Sequence, residues 1–260
     1  MKKKSKKKKI LIIVIVVVVT IIIQTLPVLF PKPLRSESIV DDNFVVYYQK
    51  GDEKGANEVF ELLKEESDSI LTKMEFEDNE VTEVFIYKTQ WQLAIREAGF
   101  ATLIVAPSWH IGDSHNGNVM MVSPYTPVEV HTHDSILTAT LHEFVHSINF
   151  QINPELLYFW DNGLATYLSG QEPEESDLYS RDIPSIEEMH TDNGLEFGQM
   201  GGYAFSYNYI EYLDDTYGWD SILEFVSGNG SYEEVFNQTE EEIYSDWCDY
   251  LENAKAVWSS

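Results

Sequence analysis

"HEFVH", residues 142–146, lies within "DSILTATLHEFVHSINF" (134–150). Asp134 and Ser135 are residue types that cap helix N-termini. Leu137, Leu141, Phe144, Val145 and Ile148 recur at helical spacing, so the stretch reads as an amphipathic helix with one buried stripe. His142 and His146, four residues apart, project one turn from each other on an adjoining stripe.

Downstream the pattern stays helical, over 154–169, 203–217, 219–227 and 239–255. In the last of these, Ile243, Trp247 and Leu251 at four-residue spacing mark an amphipathic helix. Residues 171–200 are polar, acidic and irregular, which predicts a loop with at most one short helix. Upstream, strands and helices alternate. "NFVVYYQ" (43–49), "EVTEVFIYK" (80–88) and "GNVMMVSPY" (117–125) have strand composition, whereas 55–74 and 89–99 have helical spacing, with Gly99 as a stop. Residues 100–116 are loop-rich, with room for one short strand. The expected class is α+β, with an N-terminal mixed sheet and its helices over 42–133 and a helical part over 134–260.

Two histidines one turn apart can meet a single metal ion, and H-E-x-x-H is the spacing that does so on a helix. Zinc accepts neutral imidazole nitrogens; it needs a third protein donor and keeps a fourth position for water, whose pKa it lowers to about 7. Glu143 is the carboxylate placed to take that water's proton and return it to a leaving amine. One zinc ion is therefore the expected cofactor. The bland alternative is a helix with two surface histidines and a surface acid, but the motif lies in an apolar-periodic helix, not a polar loop.

The following segment, "FWDNGLATYLSGQ" (159–171), carries a resemblance. With "HEFVH" it resembles the peptidase-MA-like gluzincins, zinc metallopeptidases with a thermolysin-like core. Their second helix opens with an aromatic and a W-x-x-E-G-x-A-x-Y-like segment whose glutamate is the third zinc ligand. Alignment on Gly163, Ala165 and Tyr167 puts Phe159 at the aromatic and Asn162 at the glutamate. An amide is a poorer zinc donor than a carboxylate, so Asn162 departs from the pattern and weakens the expected site. Asp161 is the second candidate, although one residue along a helix is a turn of about 100°. The third rank is a distant histidine: His110, His115, His131 or His133. Asp214, in "DDTYG", is read as an acid near a helix end.

The resemblance runs from about Phe44 to Val226, though only the two helical motifs are specific. It implies a zincin-like fold and a peptide or protein substrate laid against an edge strand at "GNVMMVS". It also implies an oxyanion donor in Tyr203 or Tyr207, for which core packing is the plain alternative. Two rival functions remain open: a degenerate peptidase that binds without cleaving, and an acidic surface interaction domain.

Seven lysines fall in residues 1–9, and an apolar run occupies Ile10 to Phe30. Its 21 residues can span a bilayer, and no small-x-small cleavage site follows, so an uncleaved signal anchor is expected over a cleaved signal peptide. The lysines keep residues 1–9 cytosolic and put the domain outside; residues 31–41 read as a partly extended linker. Beyond residue 30 the chain has ten bases against 44 acids, a balance that repels phosphate backbones and excludes nucleic acid as an expected partner. Cys248, the sole cysteine, allows neither an intrachain disulfide nor a thiolate metal cluster.

Overall fold

The computed structural model describes residues 2–77, 81–104, 108–228 and 230–258, and the fold is α+β. Five strands form one mixed sheet, and twelve α-helices and one 3-10 helix complete the described residues.

The first unit comprises residues 1–62 and 80–137. Helix α1 (Lys2–Leu29) is apolar from Ile10 onward. Its part Lys6–Leu29 is long and apolar enough to cross a membrane: 24 residues rise about 36 Å, against a hydrocarbon core of about 30 Å. The sheet follows in the order β1 (Ser36–Val40), β2 (Phe44–Gln49), β3 (Thr82–Tyr87), β5 (Asn118–Val122), β4 (Gly112–His115). β2, β3 and β5 are parallel, and β1 and β4 pair antiparallel at the two edges. β3 and β5 bury nearly every side chain, from Val84 to Tyr87 and from Val119 to Val122, as central parallel strands do; β2 alternates, burying Phe44, Val46 and Tyr48. The connections supply α2 (Glu53–Lys73) and α3 (Gln90–Ala98). α3 starts where Thr89 caps the amide of Gln92 and stops at Gly99, whose φ of 81° ends the helix, as read from the sequence.

Two expectations are corrected here. The segment "GNVMMVS" is not an edge strand: β5 lies between β3 and β4, and the edge belongs to Gly112–His115. The linker expected at 31–41 is a strand in its second half, because Ser36–Val40 pairs residue by residue with Gln49–Val45.

The second unit comprises residues 63–79 and 138–260. The end of α2 is counted with the helices of this unit. There Lys73 meets the Asp214 carboxylate and lies over the rings of Tyr167 and Trp219. Helix α4 (His133–Ile152) buries Leu141, Phe144, Val145 and Ile148, but Ile136, not Leu137, continues the stripe. α5 (Tyr158–Leu168) is buried from Phe159 to Thr166 except at Asp161, and packs on α9 (Gly202–Tyr217).

Between these two helices lie α6 (Glu175–Tyr179), α7 (Ile186–Met189) and α8 (Gly194–Met200), where a loop with at most one short helix was expected. Each buries one apolar residue, Leu178, Met189 and Phe197 respectively, and α7 opens with a capping box of Ser185 and Glu188. α10 (Trp219–Val226), α11 (Tyr232–Phe236) and α12 (Glu240–Trp258) complete the unit. α12 buries Ile243, Trp247 and Leu251, as the spacing predicts.

The close approach of α5 and α9 depends on Gly163. A Cβ there would stand 2.7 Å from the Ser206 carbonyl oxygen and 2.8 Å from Ile210 Cγ1, so any side chain forces the helices apart. Gly163→Ala is expected to cost about 1–3 kcal/mol despite alanine's better helix propensity, because the obstacle includes backbone. A lower urea midpoint at unchanged slope checks this; an equal midpoint would show that the helices separate without cost.

Candidate active site

His142, Glu143 and His146 lie on the regular middle of α4, so their relative placement follows from helix geometry. His142 Nε2 and His146 Nε2 stand 3.0 Å apart, with the rings 4.7 Å between centroids and steeply inclined. His142 and Glu143 are both buried. Burial holds the His142 imidazole well below its ordinary pKa and the neighbouring His146 adds to this, while the amides of Gln171 and Asn162 act in the opposite direction. The ring is thereby kept in the neutral form that donates a lone pair.

Asp161 reaches the pair from α5, but at the far nitrogen: its Oδ2 lies 2.8 Å from His146 Nδ1, and its Oδ1 accepts a 2.7 Å hydrogen bond from Asn149 Nδ2. Because α5 is regular from Tyr158, the rotation between Asp161 and Asn162 is retained. Asp161, second among the candidate third ligands, thus stands at Nδ1 of His146 and not beside the Nε2 pair. Its carboxylate lies on the Nδ1 side of the His146 ring, opposite the Nε2 that faces His142.

Asn162 is buried beside His142, with its Nδ2 donating to the Tyr158 carbonyl at 2.9 Å. That bond leaves the amide oxygen as its remaining acceptor. Gln171, which the sequence analysis did not single out, is brought to His142 where α5 ends. Gly170 takes a left-handed φ of 70°, and the Gln171 amide bonds back to the Thr166 carbonyl. Its signal was faint: a glutamine just past a helix-terminating glycine.

Tyr203, in the first turn of α9, stands with its ring 6.1 Å from that of His142 and 5.0 Å from Phe197. Burial raises its hydroxyl pKa, and the charges of Tyr158 and Glu143 add to the effect, so the hydroxyl keeps its proton. Tyr207, one turn on, tilts against Tyr167 at 5.4 Å; burial and the carboxylates of Glu211 and Glu172 push its pKa up to about 12.

The remaining candidates are engaged elsewhere. His110 pairs with Glu97 at 2.6 Å, His131 Nε2 meets the Trp109 carbonyl at 2.9 Å, and His133 bridges Glu58 and Asp134. Asp214 accepts from the Tyr167 hydroxyl at 2.8 Å and pairs with Lys73. His115 ends β4. Among the described residues no group of three or more His, Cys, Asp or Glu side chains is arranged to hold a metal ion. The donor set near the two imidazoles is completed by amides, those of Asn162 and Gln171. Two imidazole nitrogens at this spacing fit one zinc ion, with an amide oxygen as a weak third donor.

No protein-family model, curated protein or solved structure matches the chain.

Proposed function

We propose that the protein is a zinc metallopeptidase of the gluzincin kind, with a zincin-like fold, anchored in a membrane by α1. The observation that carries this reading is the 3.0 Å approach of two imidazole nitrogens from one helix, that of the buried His142 and that of the half-buried His146, with a buried carboxylate between them in sequence. His142, His146 and the oxygen of Asn162 would hold the ion, which would supply Lewis-acid polarisation of the reacting water and carbonyl. Glu143 takes the proton of the attacking water and passes it to the leaving amine. Tyr203, with its proton retained, donates a hydrogen bond to the substrate oxygen as negative charge develops there, and Asp161 holds His146 in register. The substrate is a peptide or protein outside the membrane, with the lysine-rich residues 1–9 on the cytosolic side.

A second reading, a degenerate peptidase that binds peptides without cleaving them, draws support from the amide at position 162. Zinc titration of the full chain with a generic peptide substrate separates the two. Retention of close to one zinc per chain together with hydrolysis supports the enzyme; zinc-independent peptide binding without hydrolysis supports the second reading. Asn162→Glu is expected to tighten zinc binding about tenfold or more, the scale of a ligand's contribution to a metal site. Unchanged affinity would remove position 162 from the ligand set.

A further inference from the structure

The outer end of α1 is joined to α3 and to the 3-10 helix Phe100–Ile104 that follows it. Gln24 uses both ends of its amide there: Nε2 donates to the Ala98 carbonyl at 2.8 Å, and Oε1 accepts from the Ala101 amide at 3.0 Å. Arg96 Nη1 donates to the carbonyls of Phe30 at 2.6 Å and Pro27 at 3.5 Å. At Gly99, with φ of 81°, a Cβ would collide with the Gln24 carbonyl, so the approach is backbone to backbone.

The order of these contacts fixes a direction. Arg96 meets residues 27 and 30, and residues 98 and 101 meet Gln24. The chain leaving α3 therefore runs against α1, toward its apolar middle. Gln24 lies six residues before Phe30, about 9 Å along the helix axis.

We propose that the 3-10 helix Phe100–Ile104 is immersed in the outer leaflet of the bilayer as a second membrane contact, with Trp91 at the headgroup level. This rests on the reading of α1 as a membrane anchor. Composition agrees: although the chain carries 44 acids, none lies between Glu97 and Asp113, and Glu97 itself is paired with His110. Phe100 is 45% exposed and Trp91 56% exposed, large aromatic surfaces of the kind that settles at a membrane interface. Polar groups at that depth need partners within the protein, and the Gln24 amide provides them for the end of α3.

The test uses the full chain in phosphatidylcholine vesicles with Cys248→Ser as background. A nitroxide is attached at Phe100→Cys, Trp91→Cys, Val16→Cys within α1, or Val130→Cys at an 81% exposed surface position. Collision rates with oxygen, which concentrates in lipid, and with a water-soluble nickel chelate are compared. All four side chains are exposed, so labelling is compatible with folding, which thermal melts verify. The oxygen-to-nickel ratio at position 100 is expected to exceed that at 130 severalfold, with position 91 between them. A label at 100 that reads like 130, while 16 reads hydrocarbon, overturns the immersion and leaves the anchor standing. A label at 16 that reads water overturns both. If a second copy of the chain covers this surface instead, both reagents are excluded from position 100 alike, and that outcome also overturns the proposal.

Discussion

Glu143→Gln is expected to lower peptide hydrolysis by about 10²–10⁴-fold, the contribution of a positioned acid–base group, while zinc binding stays unchanged. Glutamine keeps the size of the buried side chain and removes only its capacity to take a proton, so the fold and the neighbouring imidazoles are retained. His146→Ala, in contrast, should lose zinc and hydrolysis together. Rates measured at saturating zinc, beside metal content of the same preparations, make the comparison. If the glutamine variant hydrolyses peptides at the parental rate, Glu143 is not the proton acceptor and the peptidase reading fails.

Trp160→Ala carries the largest expected effect on stability, about 3–5 kcal/mol. Trp160 is fully buried in α5, stacks on Phe225 at 4.5 Å, meets the edge of Tyr209 at 5.7 Å and donates from Nε1 to the Tyr232 hydroxyl at 2.9 Å. Truncation removes the ring contacts and leaves the Tyr232 hydroxyl without that donor. The melting temperature should fall by on the order of 10 °C. Trp91→Ala, at an exposed position, should stay within about 0.5 kcal/mol of the parent in detergent, and equal losses for the two would contradict the burial described for α5. Since Trp160 lies two residues from Asn162, the same variant is expected to weaken zinc binding as well.

Much of this architecture was legible because its local chemistry is strong. Thr89 and Gly99 bound α3 as their residue types require, and the Ile243, Trp247 and Leu251 spacing identified a buried face despite an acidic surround. The edge strands were not legible. "GDSH" has no apolar alternation, and "SESIV" little, so each is extended because a neighbour supplies hydrogen bonds. Capping boxes at Ser185/Glu188 and Ser231/Glu234 were present in the sequence, yet the acidic composition around them masked two short helices.

At the site, helical periodicity alone placed His142 and His146 side by side and set Asp161 about 100° away from Asn162's direction. That Asp161 meets the far side of His146 required the packing of α5 on α4, which spacing within one helix cannot supply. Gln171 depended on a left-handed glycine turning the chain back, a long step from any motif.

The joint between α1 and the sheet also governs reach. Six residues, 30–35, separate the end of α1 from β1, a span of at most about 22 Å even if fully drawn out. They are pinned as well: the Tyr87 hydroxyl bonds the Pro31 carbonyl, Lys32 lies over the Tyr47 ring, and Gln49 Nε2 bonds the Leu34 carbonyl. A domain held this way cannot swing through a wide hemisphere. With α1 in a bilayer, the sheet unit turns and drifts together with its lipid-embedded shaft, and whatever it meets is met within a few nanometres of that bilayer.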